Sequence, residues 1–424
     1  MRPKALRLDI FLKSALIHNI IKILSANIVS RILNFSLSIF VIKKLSVSDF
    51  GTFTFGIFTS QIIPQVLDFG LNETVVRFGA KVKEDRKTLV VVLSYVLKVR
   101  LITALLIIVL GFYAGFFLLP HIFKGKNLTN AFLLGIIGSI GIFLWNFVQS
   151  FYRIEEDFTK LSFFNIVYSV LLVILVLFLF YSGFNRYTWI LTAYISIPFI
   201  CAIFFGRPLL KIINISLSVP EKLKKELFHY SFWLTISTIS FIGLRRLDIL
   251  FLTYFCSLET VGIYGAALRL IAPFQMLSQA TSQVLLPRVS QYNTKFQFRK
   301  FVNYSYLFTI LFLGIIATIC MFMAPLIFSF FQKTYLNSVS VFQLLVYLPV
   351  VGTLANLMSY LFLSIGRPEI PSKINFIQAI FNIILSLLLI PYYGAIGAAI
   401  AILTTATIGT ICQVYFAERY LSYA

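Results

Sequence analysis

Arg245 and Arg246 stand side by side in Tyr230–Cys256, a stretch that otherwise reads as a single membrane-spanning helix. A charge at mid-bilayer costs roughly 2.5–3.5 kcal/mol on insertion scales, so a chain keeps one where it faces a bundle interior or a watery cavity. Each arginine lies too deep in the segment to snorkel easily to the headgroups. What two guanidiniums offer at that depth is charge-assisted, bidentate hydrogen bonding to phosphate or carboxylate. Asp248 follows Arg245 by three positions, on the same helical face, where the two can neutralise each other. Arg246 points about 100° away, one residue's rotation on an α-helix, and is the one expected to meet a substrate.

Two further arginines fall within apolar spans: Arg31, midway through the first, and Arg269, near the start of the eighth. Arg31, Arg245, Arg246 and Arg269 form the expected substrate-binding set, with snorkelling as the competing reading for Arg269. Lys98 and Arg100 lie closer to the end of their span and read as headgroup anchors. Acids at depth are few. Asp248 is the one carboxylate near the middle of a span, while Asp68 and Glu73 fall near the end of the second, where Arg77 or a neighbouring basic loop is the default partner. Asp248 and Asp68 are the candidates for coupling or charge pairing. A cavity lined by cations rather than acids suits an anionic substrate.

The elements that position these residues follow from composition. Of 424 residues, 59% are hydrophobic and 12% charged, and the mean hydropathy is +0.92. Soluble domains carry about 25% charged residues, so the chain is a polytopic membrane protein. Runs such as Leu101–Leu119 are long enough for helical spans and exclude a barrel of short alternating strands. Breakers divide the chain into about twelve spans: 20–42, 51–69, 89–119, 130–152, 162–182, 187–206, 230–256, 262–287, 302–331, 339–365, 372–391 and 394–416. The basic, apolar stretch 5–19 is expected to lie in the membrane interface.

A net charge of +21 raises nucleic acid as a partner, but the distribution of charge removes the need for it. Of the 36 lysines and arginines, 24 fall on the face that carries both termini and six on the opposite face. This positive-inside asymmetry puts both termini in the cytoplasm. Four dispersed cysteines and three scattered histidines show no disulfide framework or metal-ligand spacing. No nucleotide-binding loop and no nucleophile–base constellation is evident, so no enzyme is expected and no cofactor beyond coupling to H+ or Na+.

A weak self-similarity recurs at one offset, 211 residues. It relates Ser46 to Ser257, Gly51 to Gly262, Arg77 to Arg288, Tyr181 to Tyr392 and Gly183 to Gly394. Six spans per half is even, which makes the repeat parallel, with a substrate path expected between the halves. The expected division is an N-terminal lobe 1–206, a cytoplasmic linker 207–229 and a C-terminal lobe 230–424. Pro64, Pro198, Pro273, Pro325 and Pro349 are expected to kink their spans and to act as hinges.

The segment RILNFSLSIFVIKKLSVSDFGTFTF…LDFGLNETVVRFGA (31–80) resembles the opening of Wzx-type polysaccharide flippases, members of the multidrug/oligosaccharidyl-lipid/polysaccharide exporter superfamily. RRLDILFLTYFCSLETVGIYGAALRL (245–270) resembles their seventh and eighth spans, and LIPYYGAIGAAIAILTT (389–405) their last pair. The resemblance implies an all-α fold of two six-helix lobes in a V, as in multidrug exporters of that superfamily, alternating between inward- and outward-facing states. It implies as cargo an undecaprenyl-pyrophosphate-linked oligosaccharide, such as an O-antigen or lipopolysaccharide repeat unit, moved to the periplasmic leaflet of the bacterial inner membrane. Membrane lipid, the polysaccharide polymerase and the chain-length machinery are the implied partners. The family's cationic lumen is matched here by Arg31, Arg245, Arg246 and Arg269. The rival readings are a cation-coupled multidrug exporter, which predicts an acidic cavity, and a membrane-embedded polymerase or ligase, which predicts a large outer loop.

Overall fold

In a computed structural model of the protein, the apolar runs are helices, since within lipid a helix satisfies its backbone groups inside one segment. The structure describes residues 27–123, 125–213, 220–245, 247–278, 295–364, 367 and 369–423, and no strand occurs among them. The expected interfacial stretch 5–19, Arg246, Arg288 and the side chain of Arg245 lie outside the described residues.

The first helix, α1, covers 27–44, and α2 (Val47–Leu67) and α3 (Leu71–Lys81) follow. Next come α4 (Arg86–Ile122), α5 (Thr129–Ile154), α6 (Phe158–Tyr181) and α7 (Tyr187–Ile212). The second half contains α8 (Glu221–Arg245), α9 (Leu247–Phe255) and α10 (Leu258–Ser278). It continues with α11 (Lys295–Ser329), α12 (Ser338–Leu345), α13 (Leu348–Ser364) and α14 (Glu369–Tyr423). The α14 run is two spans in one: Gly394 takes φ 54° and breaks it. Eight stretches are long and apolar enough to cross a membrane by length and composition alone.

Prolines behave in two ways. Pro64, Pro198 and Pro325 are inside α2, α7 and α11. Pro349 instead occupies the second position of α13, where its missing N–H is unneeded, so no kink is required there.

The chain divides into two compact units, and the division runs through helices rather than loops. One contains Met1–Leu37 and Gly56–Thr238; the other contains Ser38–Phe55 and Ile239–Ala424. The C-terminal part of α1 and the start of α2 thus pack in the second unit, and most of α8 packs in the first.

Within the second unit, residues related by the 211-residue offset meet each other. A Cβ on Gly51 would overlap the carbonyl oxygen of Leu258, and one on Gly262 would overlap that of Val47. Val47 and Leu258 are themselves repeat mates, so the contact is reciprocal, as a pseudo-two-fold axis requires. On that axis Gly265 faces Thr54, its own counterpart, at 2.8 Å from a built Cβ to the hydroxyl. Helix starts repeat as well: Ser46 Oγ accepts from Asp49 N at 3.1 Å and Ser257 Oγ from Thr260 N at 3.2 Å. Gly183 (φ 85°) and Gly394 (φ 54°) both take positive φ at matching positions of the two halves.

Candidate functional site

Arg269, on α10, is anchored without an acid among the described residues. Its Nη1 donates to Ser38 Oγ at 3.0 Å, and its guanidinium lies over the rings of Phe50 and Phe53, with centroids at 5.5 and 5.2 Å. Phe50 is held edge-on by Tyr335 and tilted against Phe53, so the aromatic floor is itself fixed. Cation–π contact orients a guanidinium without neutralising it. Arg269 forms no ion pair among the described residues and is only part-buried. It therefore presents unspent N–H donors and a full charge. The alternative of snorkelling along its own helix does not describe this arrangement, because the side chain crosses to α1 and α2.

Arg31 lies on α1 in the first unit and is exposed. One turn on, Asn34 Nδ2 donates to Ser169 Oγ of α6 at 3.1 Å, which fixes that face of α1 against α6. Arg31 and Arg269 thus stand in different units, each on a part of its helix tied down by a hydroxyl contact.

Asp248 is 4% exposed and accepts from the hydroxyl of Tyr264, a residue on the next helix that is fully buried. Its other oxygen accepts from Ile249 N at 2.9 Å. The tyrosine is a partner the sequence reading missed; its signal is the spacing Asp248–Tyr264 across the α9–α10 turn.

Asp68 pairs with neither Arg77 nor a basic loop, as expected from sequence, but with Arg100. Nη2 of Arg100 approaches Asp68 Oδ1 at 2.8 Å and also donates to Asn72 Oδ1. Its Nη1 donates to the Phe143 carbonyl at 3.0 Å, and the rings of Phe143 and Phe147 flank the guanidinium at 4.8 and 5.0 Å. Arg100 is 0% exposed, so its reading as a headgroup anchor is corrected. The reason is register: Arg100 sits on the buried stripe of Leu93, Val96, Leu97, Ala104 and Ile107, whereas Lys98 is off it and exposed. Arg77 instead lies over the Tyr230 ring at 4.1 Å. Glu73 does take a basic-loop partner, a two-pronged pair with Arg153 at 3.0 Å.

The Asp68–Arg100 pair closes a corner. Phe69 and Gly70 have φ of 48° and 67°, turning α2 into α3, and Asp68 Oδ2 accepts from Asn72 N at 2.9 Å to cap the new helix. Ser150 adds a hydroxyl to Asn72 Oδ1 at 3.3 Å, so α2, α3, α4 and α5 share one buried polar knot. Its charges are spent on each other, in contrast to Arg269.

Comparison with known proteins places this geometry. The family described as polysaccharide biosynthesis protein matches residues 16–293. An uncharacterized membrane protein of Methanocaldococcus jannaschii is 29% identical over 48% of this chain and 41% of its own. A probable low-salt glycan biosynthesis flippase of Haloferax volcanii, Agl15, is 24% identical over 50% of this chain and 46% of its own. The alignments therefore span less than half the length of these curated relatives. Among solved structures, the lipid II flippase MurJ in an inward closed conformation has a TM-score of 0.76 at 17% identity, covering 94% of this chain and 87% of that one. An inward-facing MATE transporter of the MOP superfamily also scores 0.76 at 17% identity, over 93% and 94%. The fold is thus that of MOP-superfamily transporters, an all-α multi-pass membrane fold.

Proposed function

Because this chain belongs to the polysaccharide biosynthesis protein family, we propose that it is a flippase that carries a lipid-linked oligosaccharide across the membrane. The single observation that carries this reading is Arg269, a half-buried guanidinium oriented by Ser38, Phe50 and Phe53 with no acid against it among the described residues. Such a donor set fits the pyrophosphate or an acidic sugar of a lipid-linked glycan. A drug cation would meet repulsion there. The fold is shared with drug exporters and does not separate the two cargoes; the sign of the exposed charge favours the anionic one.

In this proposal Arg269, Arg31, Arg245 and Arg246 replace the water shell of the anionic headgroup, while the polyprenyl tail stays in lipid. The carrier is undecaprenyl pyrophosphate or a related polyprenyl anchor, and the cargo an O-antigen-like or other surface glycan unit moved from the cytoplasmic leaflet outward. A gradient of H+ or Na+, or of the cargo itself, supplies the energy, and the polymerase that consumes the unit is the partner on the far side. The basic residues of the loops support cytoplasmic termini.

The experiment is complementation of a strain lacking the chain. Arg269→Gln and Arg246→Ala are each expected to abolish surface glycan and to leave lipid-linked oligosaccharide accumulating inside, with the protein inserted at normal levels. Normal surface glycan in Arg269→Gln would overturn the reading.

A further inference from the structure

Helices α5 and α6 carry a cluster of neutral polar side chains inside apolar spans. Gln149 Nε2 donates to Asn165 Oδ1 at 2.9 Å across the pair. Asn146 is one turn from Gln149 on α5, and Tyr168 one turn from Asn165 on α6. All four are part-buried rather than enclosed. Gln149 and Asn165 stand about 8–10 Å from the ends of their helices at 1.5 Å per residue, within apolar spans.

Their hydrogen bonding is incomplete. Among the described residues, the Asn146 carboxamide has no partner, and neither have Gln149 Oε1, Asn165 Nδ2 and the Tyr168 hydroxyl. Unpaired amides of this kind are costly in hydrocarbon, where each missing bond goes uncompensated. The cluster is nevertheless stiff. The Tyr168 ring stacks on buried Trp145 with centroids 5.9 Å apart, and Ser169, one turn beyond Asn165, receives Asn34 of α1. Arg31 lies one turn from Asn34 on α1. The neutral cluster therefore adjoins a cationic position of the same unit.

We propose that Asn146, Gln149, Asn165 and Tyr168 form a glycan-recognition subsite that reads the sugars next to a pyrophosphate held at Arg31. Carboxamides pair a donor and an acceptor in one plane, the pattern that adjacent sugar hydroxyls present, and they carry no charge that would bind an ion instead. A phosphate needs donors alone; a lipid tail needs neither. An anion site beside a donor–acceptor site matches a molecule with a phosphate beside a polyol. This inference rests on the flippase reading and assigns the part of it that distinguishes one glycan from another.

The test uses purified full-length protein in lipid nanodiscs and two probes: the lipid-linked oligosaccharide extracted from cells lacking the chain, and bare undecaprenyl pyrophosphate. Asn146→Ala and Asn165→Ala are each expected to weaken binding of the glycan-bearing probe about tenfold, the scale of one hydrogen bond of 1–1.5 kcal/mol, with the bare carrier within about twofold of the parent. Asn146 makes no side-chain bond among the described residues, so its truncation reads ligand loss even where Asn165→Ala fails to fold. Unchanged glycan binding, or equal weakening of both probes, overturns the subsite, the second pointing to a packing role. A parent that binds both probes equally also overturns it and leaves the flippase reading standing. A parent that binds neither probe overturns the flippase reading and the subsite with it.

Discussion

Two arginines in the same kind of helix, one buried and one part-buried, do different work because of what lies against them. Arg100 meets Asp68, Asn72 and the Phe143 carbonyl, and Arg269 meets a hydroxyl and two rings. Breaking a buried pair leaves the surviving charge uncompensated, at a cost of about 3–5 kcal/mol, whereas replacing both partners with apolar residues is near neutral or stabilising. Arg100→Leu is therefore expected to lower thermal stability in detergent sharply, and Asp68→Leu/Arg100→Leu to recover part of it, the helix cap on Asn72 N being lost in the double variant. If the double variant is no better than the single, the pair is not the source of the loss. Arg269→Gln should barely change stability, because no acid is stranded. Register was the readable signal for Arg100, since Lys98, two positions and about 200° of helix rotation away, falls off the buried stripe. The ring floor under Arg269 was not readable, because Phe50 and Phe53 are more than 200 positions away in sequence.

At the scale of elements, the repeat makes paired predictions. Gly51 and Gly262 face each other's helix through the same carbonyl contact, so Gly51→Ala and Gly262→Ala should cost similar amounts, about 1–3 kcal/mol each for overpacking. Ser46→Ala and Ser257→Ala remove equivalent caps and should each cost about 0.5–2 kcal/mol. Unequal effects within either couple, read by thermal unfolding, would deny the symmetry. A different cap gives a pH dependence. Asp157 opens α6, and its hydrogen bonds from Lys160 hold its carboxyl below the usual aspartate range. A depressed pKa in the folded state means the stabilisation is present at neutral pH and is lost as pH falls through that lowered value. The stability gap between parent and Asp157→Asn should thus be widest near neutrality and close only in acid below the ordinary aspartate range. A gap that closes already at mildly acidic pH would show that another group is responsible.

For the whole molecule, a symmetric scaffold carries asymmetric charge. Glycines and serines match at the 211-residue offset, but Asp248, Arg269 and Arg100 correspond to Leu37, Phe58 and Leu311. Sidedness is the prediction that belongs here: with the native cysteines removed, a cysteine at Ser182 should label with impermeant maleimide from outside intact cells, and one at Glu84 only after permeabilisation. The reverse pattern would invert the topology. Fold class, the approximate spans and the repeat were legible in sequence, because lipid demands long apolar helices and because a duplicated scaffold keeps its turn glycines and caps in step. Which arginines are spent and which stand ready was decided by tertiary structure alone. Charge at depth is visible along a helix, but its neutralisation depends on what another helix brings against it. The packing of 38–55 within the second unit, where it supplies Ser38 and the ring floor beneath Arg269, is a matter of chain path that no local pattern records.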